Sequence, residues 1–159
     1  STVEIARLEA SSRQPCAADL PGVQEQLGEL LCRYTDAVER DKLLGVERPD
    51  ILIRRAALLS AAGEHERAKR DAQEAVRLVP TMAVAHFRVG VAEFELENYE
   101  AAEGLLDQGY AVLSERYGSG HRQTIRAMRG LRDLHESRGD RTQSSLWTRR
   151  IEQAEGGTP

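Results

Sequence analysis

Along most of the chain, apolar side chains recur at intervals of three and four residues, the spacing that gathers them on one face of a helix. Between Val23 and Leu44, the positions Leu27, Leu30, Leu31, Tyr34, Ala37 and Val38 share such a face and predict one amphipathic helix. Near the other end Leu131, Leu134, Leu146 and Ile151 predict a further apolar stripe. The stretch GEHERAKRDAQEAVRLVP, from Gly63 to Pro80, keeps the helical spacing but fills it with the small residues Ala68, Ala72 and Ala75. One stretch departs from this rhythm: FRVGVAEFEL alternates apolar and polar residues and contains valines, which read alone suggests a strand.

A search for self-similarity explains both oddities. Displacing the Gly63–Pro80 stretch by 34 positions takes Gly63 to Glu97, His65 to Tyr99, Ala68 to Ala102, Ala72 to Leu106, Ala75 to Gly109 and Pro80 to Ser114. Segments 49–82 and 83–116 therefore share one plan: a helix, a tight turn, and a second helix with acidic residues near its start, where the helix dipole favours negative charge. Small residues at Ala68, Ala75, Ala102 and Gly109 let two paired helices approach closely, since bulk there would hold the backbones apart. The same register makes FRVGVAEFEL part of a first helix and overrides the strand reading. Aligning Gly139 with Gly63 yields a third unit starting near Ile125, 42 positions after Ala83, with eight extra residues assigned to a longer loop, RYGSGHRQT.

A period near ~34 residues, helix–turn–helix units, small residues at close contacts and a proline after the second helix resemble the tetratricopeptide repeat family. In the first unit Leu52, Ala56, Leu59, Gly63, Ala68, Ala75 and Pro80 match the family pattern; the second matches at Gly90, Tyr99 and Ala102 and departs at His86, Glu93 and Ser114. The third is similar to the longer repeats of kinesin light chains, with Ser144 at the family's alanine position and Trp147 expected to cover the end of the stack. Upstream, YTDAV resembles the end of a repeat's second helix, which makes TVEIARLEASS the first helix of a degenerate unit and RQPCAADLPG the loop between them. The resemblance implies an all-α, right-handed α-solenoid of about three to four units. The expected organisation is one domain over 1–154, with degenerate N-terminal helices over 1–42, repeats over 49–82 and 83–116, a repeat or cap over 120–153, and a disordered tail over 155–159.

Composition agrees with helix: Pro is sparse, aromatics are 4%, and Ala, Leu, Arg and Glu dominate. No apolar run reaches the roughly 18 to 20 residues that a membrane helix needs, and the N-terminus lacks the pattern of a secretory signal, so the expectation is a soluble cytoplasmic chain. The net charge of −4 disfavours nucleic acid, although Arg122, Arg126, Arg129 and Arg132 crowd the third unit. Cys16 and Cys32 have no C-x-x-C spacing, and His65, His86, His121 and His135 are scattered over different units, so no disulfide framework, metal or other cofactor is expected. No H-E-x-x-H, G-x-S-x-G, P-loop or dinucleotide fingerprint is present, and the GSG at 118–120 has no preceding strand to make it a phosphate cradle. The expectation is a protein that is not an enzyme.

In stacked helical repeats the first helices line a concave groove and the second helices form the back. Carrying over that geometry, the groove would be lined by Asp50, Ile53, Arg54 and Ala57, then Val84, Phe87, Arg88, Val91 and Phe94, then Arg126, Arg129, Asp133 and Glu136. The expected partner-binding residues are Ile53, Arg54, Val84, Phe87, Arg88, Val91, Phe94, Arg126 and Arg129. Arg54 and Arg88 stand one repeat apart and offer bidentate donors to carboxylates, while Phe87 and Phe94 offer apolar anchor area. This points to an adaptor or scaffold domain that holds a protein or peptide partner with an acidic or carboxylate-ended segment. The competing reading has the arginines paired with local glutamates and the phenylalanines packed against a neighbouring helix. A subset of the family clamps the acidic C-terminus of heat-shock chaperones with lysine, asparagine and arginine; here Arg88 stands at the clamp arginine, but Val84 replaces the lysine and Arg54 the asparagine. Co-chaperone binding through a degenerate clamp is one alternative. A homo-oligomerisation module of a larger assembly, its groove filled by a second copy or by the N-terminal segment with Ile5 and Leu8, is another.

Overall fold

The computed structural model describes residues 22–156, and over these the chain is seven helices joined by short turns. They are α1 (Glu25–Leu44), α2 (Pro49–Ala61), α3 (His65–Leu78), α4 (Ala83–Glu95), α5 (Tyr99–Tyr117), α6 (Arg122–Ser137) and α7 (Arg141–Gly156). The expectations for TVEIARLEASS, for Ile5 and Leu8, for Cys16 and for nearly all of RQPCAADLPG fall outside the described residues. FRVGVAEFEL lies in and just beyond α4, and the described residues contain no strand.

The three helix pairs α2–α3, α4–α5 and α6–α7 are closed by one turn used three times. Glu64, Asn98 and Asp140 each donate a backbone hydrogen bond to the carbonyl five residues back, at Leu59, Glu93 and His135, over 2.8, 2.8 and 2.9 Å. The residue before each adopts a left-handed conformation: Gly63 with φ 80°, Glu97 with φ 64° and Gly139 with φ 75°. This is the helix stop in which a left-handed residue lets two otherwise orphaned carbonyls find donors. Glycine suits it because a Cβ is disfavoured there, and Glu97 occupies it at a steric cost.

Each helix packs on the next in sequence, and in addition α2 touches α4 and α4 touches α6. The corresponding second helices make no such contact among the described residues, so the first helices crowd along an inner face while α3, α5 and α7 splay outside. A concave side made of first helices follows. Ala68, Ala72, Ala75 and Ala102 are all at most 1% exposed, which makes them the close-contact points their size implied. Between α4 and α5 the approach is tighter still: a Cβ on Gly109 would lie 3.3 Å from the Phe87 Cβ, and one on Gly90 would lie 3.1 Å from the Leu105 Cβ.

Two corrections concern the third unit and the end of the chain. The segment between α5 and α6 is only residues 118–121, the same length as the 79–82 linker between α3 and α4, so RYGSGHRQT is not a long loop. Instead α5 has 19 residues where α3 has 14, and α6 has 16 where α4 has 13, so the eight extra residues extend the two helices. An insertion whose residues continue both helices adds intrahelical hydrogen bonds instead of open backbone. The second correction is that helix α7 continues through Glu155 and Gly156, which the expected disordered tail includes.

Two apolar clusters make the core. The first joins Leu31 and Val38 of α1 to Leu52, Leu59 and the alanines of α2, α3 and α4. The second joins Phe87 of α4 to Leu106 and Leu113 of α5, Met128, Leu131 and Leu134 of α6, and Trp147 and Ile151 of α7. Trp147 faces back into the stack, edge-on to Tyr110 of α5 at 4.9 Å between ring centroids, and so seals α7 onto the preceding pair.

Candidate functional site

The concave side holds a cavity of about 510 Å³ whose walls come from α1, α2, α4, α5 and α6. Six of the nine expected partner-binding residues line it: Ile53, Arg54, Val84, Phe87, Arg88 and Arg126. Asp50 and Ala57 line it as well. Arg54 and Arg88, one repeat apart, therefore open onto one hollow rather than onto opposite sides of the molecule.

Val91, Phe94 and Arg129 are placed elsewhere. Val91 and Phe94 are half-buried against the second apolar cluster, with the Phe94 ring 5.9 Å from that of Tyr99 across the α4–α5 turn. They lie on the last turns of α4, beyond the cavity's lining. The Arg129 guanidinium instead bonds Glu155 Oε1 of α7 at 2.5 Å. Of the other third-unit positions, Asp133 accepts a hydrogen bond from Arg132 at 2.9 Å.

Phe87 requires a correction of a different kind. It belongs to the cavity wall, but it is 4% exposed and part of the second core cluster, not an exposed anchor. The space for it is made by glycines: Gly109 lies beneath its Cβ, and a Cβ on Gly130 would come 3.7 Å from its ring. Ile53, 7% exposed, is likewise as much core as wall.

The two arginines of the ladder have opposite surroundings. Arg54 is exposed, and its pKa is held above the usual range first by its hydrogen bond to the Tyr34 hydroxyl and then by Asp50. Arg88 is largely enclosed, and its buried Nε has no hydrogen-bond partner. Its guanidinium stands 5.6 Å from the centroid of the adjacent Phe87 ring. Burial first, and the neighbouring charge of Arg126 second, together lower its pKa to about 10. No carboxylate among the described residues pairs with Arg88 or with the exposed Arg126. Enclosing a cation without an anion is unfavourable, because lost hydration is not replaced.

The sequence reading missed six wall residues: Leu30 and Tyr34 of α1, Leu58 of α2, Met82 before α4, Leu113 of α5 and Gln123 of α6. Leu30 and Tyr34 were visible on the apolar stripe of α1, which serves both to pack that helix and to close the groove. Gln123 and Leu113 had no comparable signal, since their placement depends on the helix extensions of α5 and α6. Among the described residues no group of His, Cys, Asp and Glu is arranged to hold a metal ion. No described helix is long and apolar enough to cross a membrane.

Comparisons with known proteins follow the same architecture. No family model matches the chain. Over 76 residues, 48% of this chain, it is 34% identical to the heat-shock protein cognate co-chaperone sgt12 of Aspergillus fumigatus, and the match spans 21% of that protein's length. Among solved structures, the Sgt2 TPR domain from Aspergillus fumigatus aligns with a TM-score of 0.53 and 25% identity over 98% of this chain and 85% of that one. BtubC (BKLC) from P. vanneervenii, a kinesin-light-chain-like repeat protein, aligns with a TM-score of 0.69 and 16% identity over 85% of this chain and 58% of that one. The architecture read from the sequence and built by these helices is that of the tetratricopeptide-repeat proteins.

Proposed function

We propose that this chain is a non-catalytic adaptor whose concave cavity holds a segment of a partner protein, the segment carrying negative charge beside one or two apolar side chains. The observation that supports this most is the pairing of apolar walls with two arginines, Arg88 and Arg126, that have no anion of their own. Apolar walls contribute affinity through area removed from water, and a charge-assisted hydrogen bond fixes the register of the bound segment. Within the candidate set, Arg54, Val84, Arg88 and Arg126 are the side chains that would touch such a segment. Phe87 and Ile53 act by shaping the wall. Val91, Phe94 and Arg129 lie outside the cavity and have no part in this reading.

The test is selection of a randomised displayed peptide library on the wild-type chain and on Arg88→Met/Arg126→Met. Enrichment of Asp or Glu next to aliphatic or aromatic residues on the wild type, lost on the variant, is expected. Equal enrichment on both would sink the proposal.

A second reading is favoured by the resemblance to a heat-shock cognate co-chaperone: a chaperone's C-terminal tail as the segment, with Arg88 taking its carboxylate. Val84 at the lysine position of the usual clamp weakens that reading, because valine supplies no charge-assisted hydrogen bond. An acidic tail peptide binding far more tightly with a free than with an amidated C-terminus is its signature; equal affinities exclude it.

A further inference from the structure

Arg54, the charge expected to act with Arg88, has a counter-charge of its own, because the Asp50 carboxylate lies beside it on the same wall. Subtracting that local balance leaves two positive charges in the cavity, Arg88 and Arg126, on adjacent first helices α4 and α6. They are unequal partners. Arg88 presents a buried Nε–H with no acceptor, and Arg126 is exposed at the rim.

We infer that the Arg88–Arg126 end of the cavity is a subsite for a phosphorylated side chain of the bound partner segment. A single carboxylate carries one negative charge and leaves one of the two guanidinium groups uncompensated. A phosphoserine or phosphothreonine group carries about −1.5 to −2 at pH 7 and three acceptor oxygens on one centre. It can meet the Arg88 guanidinium with one oxygen and the Arg126 fork with another, the planar donors for which arginine is suited. The mutual repulsion that helps lower the Arg88 pKa is then relieved by the ligand's charge. This rests on the groove reading above and adds regulation to it: a kinase acting on the partner would switch docking on.

The experiment uses the full chain, with inorganic phosphate as the first probe and acetate at matched ionic strength as its control. Phosphate is expected to shift the Arg88 Nε–H signal in a side-chain NMR spectrum and to raise the melting temperature more than acetate does. Both responses are expected to vanish in Arg88→Met and in Arg126→Met, the second of which removes an exposed side chain and leaves the fold untouched. A second arm compares fluorescent peptides of one library-selected sequence bearing serine, phosphoserine or a pair of glutamates at the anionic position. Phosphoserine should bind about tenfold or more tightly than either, the factor that charged hydrogen bonds command. Phosphate acting no better than acetate, or paired glutamates matching phosphoserine, overturns the inference. In the first of these cases, acidic peptides that still bind wild type but not Arg88→Met leave the adaptor reading standing while the phosphoryl subsite falls.

Discussion

The first and third helix pairs have the same turn and the same register but hold their seams by different chemistry. In the first, Arg55 of α2 and Asp71 of α3 form a two-bonded ion pair at 2.6 and 2.7 Å, with both side chains about nine-tenths covered. In the third, the equivalent positions are Leu131 and Trp147, both buried in the second apolar cluster. The second pair places Val89 and Leu105 there, both in the first apolar cluster. A backbone plan repeated three times thus accepts an ion pair, two aliphatics or a leucine–tryptophan pair. What the plan demands is filled volume and satisfied polar groups, not a particular residue type.

The apolar seam should be the more costly to break. Trp147 is 6% exposed and edge-on to Tyr110, and the Arg150 guanidinium lies 4.7 Å from its ring centroid. Trp147→Ala is expected to destabilise by about 3 to 5 kcal/mol, through lost burial and the cavity left behind. Chemical denaturation monitored by far-ultraviolet circular dichroism measures it. A loss under about 1 kcal/mol would mean that α7 docks without its tryptophan.

The ionic seam comes next. Asp71→Ala leaves the Arg55 guanidinium mostly enclosed and without its anion, and should cost about 2 to 3 kcal/mol, somewhat below a fully buried pair because Arg55 retains some access to water. The same denaturation curves give the value. A change within about 0.5 kcal/mol would show that the pair is a surface ornament and that the contrast between the two seams is only compositional.

How much of this was legible in the sequence follows from how local each determinant is. The helical periods, the alanines at close contact and the glycine stops are read from a few neighbouring residues, and α1 to α4 fall where those marks put them. The extension of α5 and α6 was not legible, because a string such as RYGSGHRQT carries loop residues and nothing local in it marks its two ends as helical. At the site, Arg54 and Arg88 could be placed on one face by register alone. Their opposite surroundings could not, since Tyr34 reaches Arg54 from a different helix, while nothing acidic reaches Arg88. Arg129 shows the same limit: its register is that of Ile53 and Phe87, but Glu155, far along the chain, captures it. One mark was available and unread. The position that carries Arg54 and Arg88 carries Gly130 in the third unit, and that gap is part of the room into which the Phe87 ring fits.

The turns allow a smaller, stabilising test. Glu97 is the one non-glycine with positive φ among the described residues, at the place where its counterparts are Gly63 and Gly139. Glu97→Gly should stabilise by up to about 1 kcal/mol, the relief of the left-handed Cβ conflict less glycine's extra unfolded-state freedom. Thermal melting should move upward by a few degrees. A lower melting temperature would show that the Glu97 side chain contributes more to the turn than its backbone costs.

The smallest expected change bears hardest on the comparison. Arg55→Val with Asp71→Leu transplants the second pair's seam, Val89 and Leu105, into the first. If the backbone plan is indifferent to the chemistry of its filling, the double variant should lie within about 1 kcal/mol of wild type, since well-packed apolar substitutes for a buried ion pair are commonly neutral or stabilising. Each single variant should be clearly worse than the pair together, giving a coupling of about 2 kcal/mol in a double-mutant cycle. The Arg88 environment should not move, because the α2–α3 seam does not line the cavity. Unchanged peptide affinity in the double variant would therefore separate the scaffold from the site. A double variant as unstable as Asp71→Ala alone would show instead that the ion pair specifies how α3 sits on α2, and that the repeats are not interchangeable at their seams.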